Sequence, residues 1–116
     1  MLKIDVTLDI FSGRENPSWS LSEYQTNIFE TKVQDLTFGD PPRESPNRLG
    51  YRGFTVSISN YWAGLPRELY VAESYITAQI GEEKRGSIDI CGLEEWLITL
   101  AGEKGYSKII EEGRKQ

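Results

Sequence analysis

Leu2, Ile4, Val6, Leu8 and Ile10 share one parity while Lys3, Asp5, Thr7 and Asp9 share the other, so residues 2 to 11 read as a strand with one buried face. Ser20-Leu21-Ser22-Glu23 then has the capping-box spacing, in which the Ser20 hydroxyl and the Glu23 carboxylate reciprocally satisfy donors at a helix end. Leu21, Tyr24, Ile28, Val33 and Leu36 follow at helical steps with Phe29 beside Ile28, predicting a helix from near Leu21 to about Asp35. Residues 37 to 50 carry Gly39, Pro41, Pro42, Pro46 and Gly50 without periodicity and read as an irregular connection. Phe54, Val56 and Ile58 alternate with Thr55, Ser57 and Ser59, marking a second strand with a polar outer face.

In the third β segment the apolar parity changes. Leu69 and Val71 are odd, but Ile76, Ala78 and Ile80 are even, and an unbroken strand cannot bury both sets on one side. A bulge or turn is therefore expected near Ala72-Glu73-Ser74. Gly81-Glu82-Glu83-Lys84-Arg85-Gly86 reads as an exposed charged tip. Asp89 is placed to cap a second helix carrying Leu93, Trp96, Leu97, Leu100 and Ala101, with Gly102 or Gly105 ending it. Ile109 and Ile110 predict a short docked helical segment. The expected fold is α+β, ordered β-α-β-β-α, with a small, mainly antiparallel sheet carrying its helices on one face. It is read as a single domain over residues 1–112 followed by a frayed tail at 113–116.

Composition narrows the chemistry. A chain of 116 residues is long enough to bury roughly two-thirds of its unfolded surface without metal or disulfide staples. A mean hydropathy of -0.47 leaves no room for a membrane span. The alternating N-terminus, with acids at Asp5 and Asp9, does not look like an export signal, and Cys91 is the lone cysteine, so a cytoplasmic, reducing location is expected. With no histidine and one cysteine, neither a closed zinc site nor a His-based triad can be assembled from this chain. No cofactor or metal is expected. The net charge of -5 disfavours non-specific nucleic-acid binding and suits a soluble surface or a basic partner.

Three connections hold the candidate binding residues. In Phe11-Ser12-Gly13-Arg14-Glu15-Asn16-Pro17-Ser18-Trp19, Asn16 can close a local turn and Arg14 can grip a carboxylate or phosphate. Trp19 can offer a flat face to a ligand, or staple the helix entry onto the core. Tyr51 and Arg52 lie among Gly50 and Gly53, where the backbone can approach another segment closely. Tyr61 and Trp62 sit in a Gly/Pro-bounded loop and suit recognition if exposed. Each has a structural reading beside it: Arg14 paired to an internal carboxylate, Trp19 and the Tyr61-Trp62 pair capping the core. The glycines match neither the Rossmann nor the P-loop spacing.

The Ser12-to-Trp19 loop, the Leu49-Gly50-Tyr51-Arg52-Gly53-Phe54 stretch and Glu94-Glu95-Trp96-Leu97 together resemble a group of small bacterial proteins of uncharacterised function. These tend to show a Ser-Gly-Arg-x-Asn-Pro-x-Trp loop and an acidic helix with Glu-x-Trp-Leu. The resemblance spans most of the chain and implies that the loop matters; it implies no activity, cofactor or catalytic residue.

For catalysis the available groups are carboxylates such as Asp5, Asp9, Glu15 and Glu73, with tyrosines, serines and Cys91, which no histidine activates. No catalytic residue is singled out. The leading expectation is a non-enzymatic binding or interaction domain using loops 12–19, 47–53 and 60–66, with a protein or a small anionic ligand as partner. A small carboxylate-based hydrolase or transferase with an arginine anion clamp is the alternative from another class. An acidic inhibitor or immunity-type protein for a basic partner is a third. Homodimerisation through an exposed sheet edge is also open to such a fold.

Overall fold

The computed structural model describes residues 2–44, 49–59 and 66–115. Among them the chain runs β1 (Lys3–Leu8), β2 (Ser18–Ser20), α1 (Glu23–Gln34), β3 (Phe54–Ser59), β4 (Glu68–Ala72), β5 (Tyr75–Ile80), β6 (Glu83–Ile88), α2 (Leu93–Glu103) and α3 (Ser107–Gly113). The strands form one antiparallel sheet in the order β2-β1-β3-β4-β5-β6. The α+β class and the antiparallel sheet are as the patterning predicts; the third β segment is split into β4 and β5, the short segment at Ile109 and Ile110 forms α3, and β2 and β6 are strands that the patterning did not predict.

Register aligns the apolar parities into a single face. Ile4 opposes Ile58, Val6 opposes Val56, Leu8 opposes Phe54, Val56 opposes Leu69, and Val71 opposes Ile76. Phe29 and Val33 of α1, Leu93, Leu97, Leu100 and Ala101 of α2, and Ile110 of α3 join the same buried cluster. All three helices therefore cover one side of the sheet. Burying each such Leu, Ile or Phe contributes roughly 1.5–3 kcal/mol relative to exposure, so this face holds the layers together. The opposite face keeps the polar parity.

The parity shift in the third β segment is resolved by a two-residue hairpin. Glu73 and Ser74 both take positive φ (53° and 61°), the geometry whose twist matches paired antiparallel strands. Both residues carry side chains in a conformation that favours glycine, and the Glu94 carboxylate holds them there by accepting from Ser74 N–H (2.8 Å) and Glu73 N–H (3.3 Å).

Other elements differ from the sequence reading. Residues 18–20 are drawn into β2 against β1, and the Ser20 hydroxyl donates to the Asp5 carboxylate. The capping box consequently moves to Ser22 and Gln25, where Gln25 N–H donates to Ser22 Oγ (3.1 Å) and Ser22 N–H to Gln25 Oε1 (2.9 Å). The helix buries Thr26, Phe29 and Val33, while Tyr24 is 75% exposed. Only Gly81 and Glu82 form the charged tip; Glu83 onward pairs with β5 as an edge strand. Charged side chains suit an edge, so cross-strand pairing outweighs the missing apolar alternation. Asp89 does cap α2, but from before the Gly92 N-cap position, accepting from Leu93 N–H and Glu94 N–H, both at 2.8 Å. Gly113, expected to fray, is buried in α3, where a Cβ would run into the Tyr51 backbone.

Among residues 37–50, a strap crosses the polar face. Asp40 exchanges backbone hydrogen bonds with Gly86 of β6 (3.0 and 2.7 Å). The Tyr75 hydroxyl donates to Pro41 O, and Thr77 Oγ1 accepts from Arg43 N–H and donates to Arg43 O, both at 3.3 Å. A side chain at Gly86 would overlap the Tyr75 hydroxyl and the Pro41 carbonyl. The missing side chain at Gly86 thus leaves the room in which the Pro41 carbonyl and the Tyr75 hydroxyl meet.

Candidate functional site

The loop that follows β1 is knitted into the framework. Asn16 Oδ1 accepts from Ile10 N–H (3.0 Å) and Phe11 N–H (2.8 Å), and its amide donates to Asp9 Oδ1 (3.3 Å). Arg52 adds Nε and Nη2 to the same oxygen (3.1 and 2.9 Å), and Nη2 also reaches Phe11 O (2.6 Å). Backbone bonds from Asp9 N–H to Gly53 O and from Arg52 N–H to Asp9 O extend the β1–β3 pairing into this knot. Gly53, at φ 102°, is required because a Cβ there would run into the Val71 carbonyl. The fork geometry of Arg52 is thus directed at an internal carboxylate and carbonyl.

The remaining sequence candidates do not join this knot. Arg14 is exposed with its guanidinium 3.7 Å from the Phe11 ring centroid, a cation–π contact within its own loop. Trp19 is half-buried in β2, stacked on Tyr106 (6.2 Å) and edge-on to Phe54 (6.5 Å). Its indole N–H is buried without an acceptor among the described residues. Tyr51 is 2% exposed and donates to Glu94 Oε2 at 2.6 Å. Burial, reinforced by the Glu94 carboxylate, pushes the Tyr51 phenol far above its ordinary pKa. Tyr61 and Trp62 lie outside the described residues. Asn16 and Arg52 therefore meet through Asp9, Trp19 and Tyr51 both pack edge-on against Phe54 in the core, and Arg14 stays within its own loop.

A concave site lies instead on the polar sheet face, opposite the helices. It is a groove of about 760 Å³, within the range of about 300–1,000 Å³ that small-molecule sites occupy. Pro42, Arg43 and Glu44 of the strap form one wall, and Thr55, Tyr70, Thr77 and Gln79 form the floor. Asp9, Glu68 and Lys84 supply further charges around it. The floor follows from register: Thr55 opposes Tyr70 and Tyr70 opposes Thr77, while Glu68 opposes Gln79 and Gln79 opposes Lys84. Two polar rows thus run side by side across β3 to β6. The sequence signal was the polar parity of each strand; what it lacked was the order in which the strands line up.

The groups facing the groove are chemically specific. The Tyr70 hydroxyl donates to the Arg52 carbonyl. Burial first, then the nearby Asp9 charge, pushes its pKa from 10.0 up to about 12, so at neutral pH it presents a protonated phenol with acceptor lone pairs. Gln79 gives an amide N–H to Gly81 O (2.8 Å), keeping its amide oxygen as an acceptor. Arg43 lies over the Tyr75 ring, 3.9 Å from the centroid. Glu68, Lys84 and Arg43 form no ion pair among the described residues. Away from the groove, burial and then Asp89 raise the Cys91 thiol pKa, which disfavours the reactive thiolate.

Among the described residues there is no cluster of three or more His, Cys, Asp or Glu side chains placed to hold a metal, and no helix long and apolar enough to cross a membrane. Comparison with protein-family models, curated proteins and solved structures finds no significant match for this chain.

Proposed function

We propose that this protein is a non-catalytic binding domain whose recognition surface is the polar face of its sheet, opposite the helices, centred on the groove beneath Pro42, Arg43 and Glu44. The observation that carries this reading is the strap itself. It is tied to the polar face at Gly86, Tyr75 and Thr77 and leaves a groove of about 760 Å³ beside it. A surface built to be merely solvated needs no such wall.

The disposition of the reactive groups favours binding over chemistry. Asp9 accepts from Arg52 and Asn16, Glu94 accepts from Tyr51 and the β4–β5 turn, and Tyr70 keeps its proton at neutral pH. Asp9 Oδ1 and the Glu94 carboxylate are engaged by internal donors, which ties these two acids to the framework rather than to a reacting atom. Hydroxyls, an amide and charges of both signs suit orientation of a polar ligand.

The test is an amide-resolved NMR titration with amino acids, short peptides, sugars and dicarboxylates, in wild type and in Gln79→Trp, which fills the groove. The expected result is a set of shifts confined to the amides of Arg43, Glu44, Thr55, Glu68, Tyr70, Thr77, Gln79 and Lys84 that Gln79→Trp abolishes. A panel that leaves these amides still, or shifts them equally in the filled variant, overturns the reading.

A further inference from the structure

We infer that the groove takes a dipolar ligand about three residues long, with its ammonium end at Glu68 and its carboxylate end at Lys84. The inference rests on the groove being the binding site and adds the class of ligand. Glu68, Gln79 and Lys84 are successive partners across β4, β5 and β6. Two strand spacings separate the Glu68 and Lys84 backbones by about 9.5 Å. An extended chain advances roughly 3.3 Å per residue, so a free tripeptide spans its own two charges over the same distance.

The distribution of charge selects for both signs in one ligand. A simple anion attracted by Lys84 and Arg43 would meet Glu44 and Glu68 along the same groove. A simple cation attracted by Glu68 would meet Lys84 and Arg43. Asp9 is opposed by Arg52 at 2.9 Å and adds little net field. A ligand with separated charges satisfies both ends without a like-charge contact. Between them, the Gln79 amide oxygen lies in the same row, and the Tyr70 phenol lies one row along, where both can accept from peptide N–H groups. Arg43, held flat on Tyr75, adds positive charge on the strap side.

The probe is trialanine, with N-acetyl-trialanine and trialanine amide as single-charge controls, titrated by NMR into the full chain and into Glu68→Gln and Lys84→Met. Both substitutions are at exposed strand positions, and the dispersion of the amide spectrum checks that each variant is folded. Trialanine is expected to shift the groove amides, with affinity falling about fivefold on removal of either charge, as for a partly exposed ion pair. Acetylation should weaken binding to wild type but not further weaken binding to Glu68→Gln, and amidation should behave in the same way with Lys84→Met. Equal affinity for all three peptides, or losses additive with the substitutions, overturns the inference. So does a groove that ignores trialanine. If a sugar or dicarboxylate nonetheless shifts the groove amides of wild type and not of Gln79→Trp, the binding-domain reading stands while the dipolar-ligand inference falls.

Discussion

Tyr70 joins the internal knot of the first loop to the floor of the groove. Its hydroxyl donates to the Arg52 carbonyl, and its register partners are Thr55 and Thr77. Because its folded pKa of about 12 exceeds the ordinary 10.0 of an unfolded chain, the neutral phenol contributes stability that is complete below pH 10. That contribution is lost as pH rises towards 12. Tyr51 is shifted in the same direction and acts with the same sign. Urea midpoints should therefore fall as pH climbs through this window, and Tyr70→Phe should flatten part of the fall; an unchanged slope in that variant would remove Tyr70 as its source. Sequence identified Arg52, Asn16 and Asp9 as notable but left their partners open. Pairing depends on β1 lying beside β3, which places residues 43 apart in the chain within 3 Å.

The link between α2 and the β4–β5 hairpin shows how elements constrain one another. Glu94 is 5% exposed and holds the Tyr51 hydroxyl together with the two backbone N–H groups of a turn whose residues both have positive φ. Glu94→Gln replaces an acceptor-only carboxylate with an amide whose N–H₂ faces donors, and should cost about 1–3 kcal/mol. Denaturant unfolding gives the loss, and faster amide hydrogen exchange at Glu73 and Ser74 locates it; exchange unchanged at those amides would contradict the assignment. At this scale the sequence was most informative where burial imposes a period. The parity of residues 2 to 10, the alternation at 54–59 and the slip between Val71 and Ile76 all reappear as β1, β3 and the β4–β5 turn. It was least informative for β2 and β6. Three residues of β2 are too few for a period, and the first residues of β6 are exposed charges, so both strands exist through their neighbours.

On the scale of the whole molecule, the helices close one face of the sheet and the strap partly closes the other. Gly86→Ala would drive a methyl into the Tyr75 hydroxyl and the Pro41 carbonyl, at a cost of about 1–3 kcal/mol. The strap should lift, so limited trypsin digestion should cut after Arg43 faster than in wild type; cleavage at the wild-type rate would show that the strap does not depend on that glycine. The amino-acid sequence by itself determined the α+β class, the principal apolar faces, the need for a break after Val71 and the absence of histidine chemistry. Each depends on composition or on a repeat of a few residues, which local backbone geometry enforces. Tertiary structure alone decided which polar residues meet. Register brought Glu68, Gln79 and Lys84 into one row, and a glycine on the edge strand admitted the strap that makes that row a groove. Polar side chains on an open face have no burial term to impose their order, so their arrangement is inherited from the packing of the opposite face.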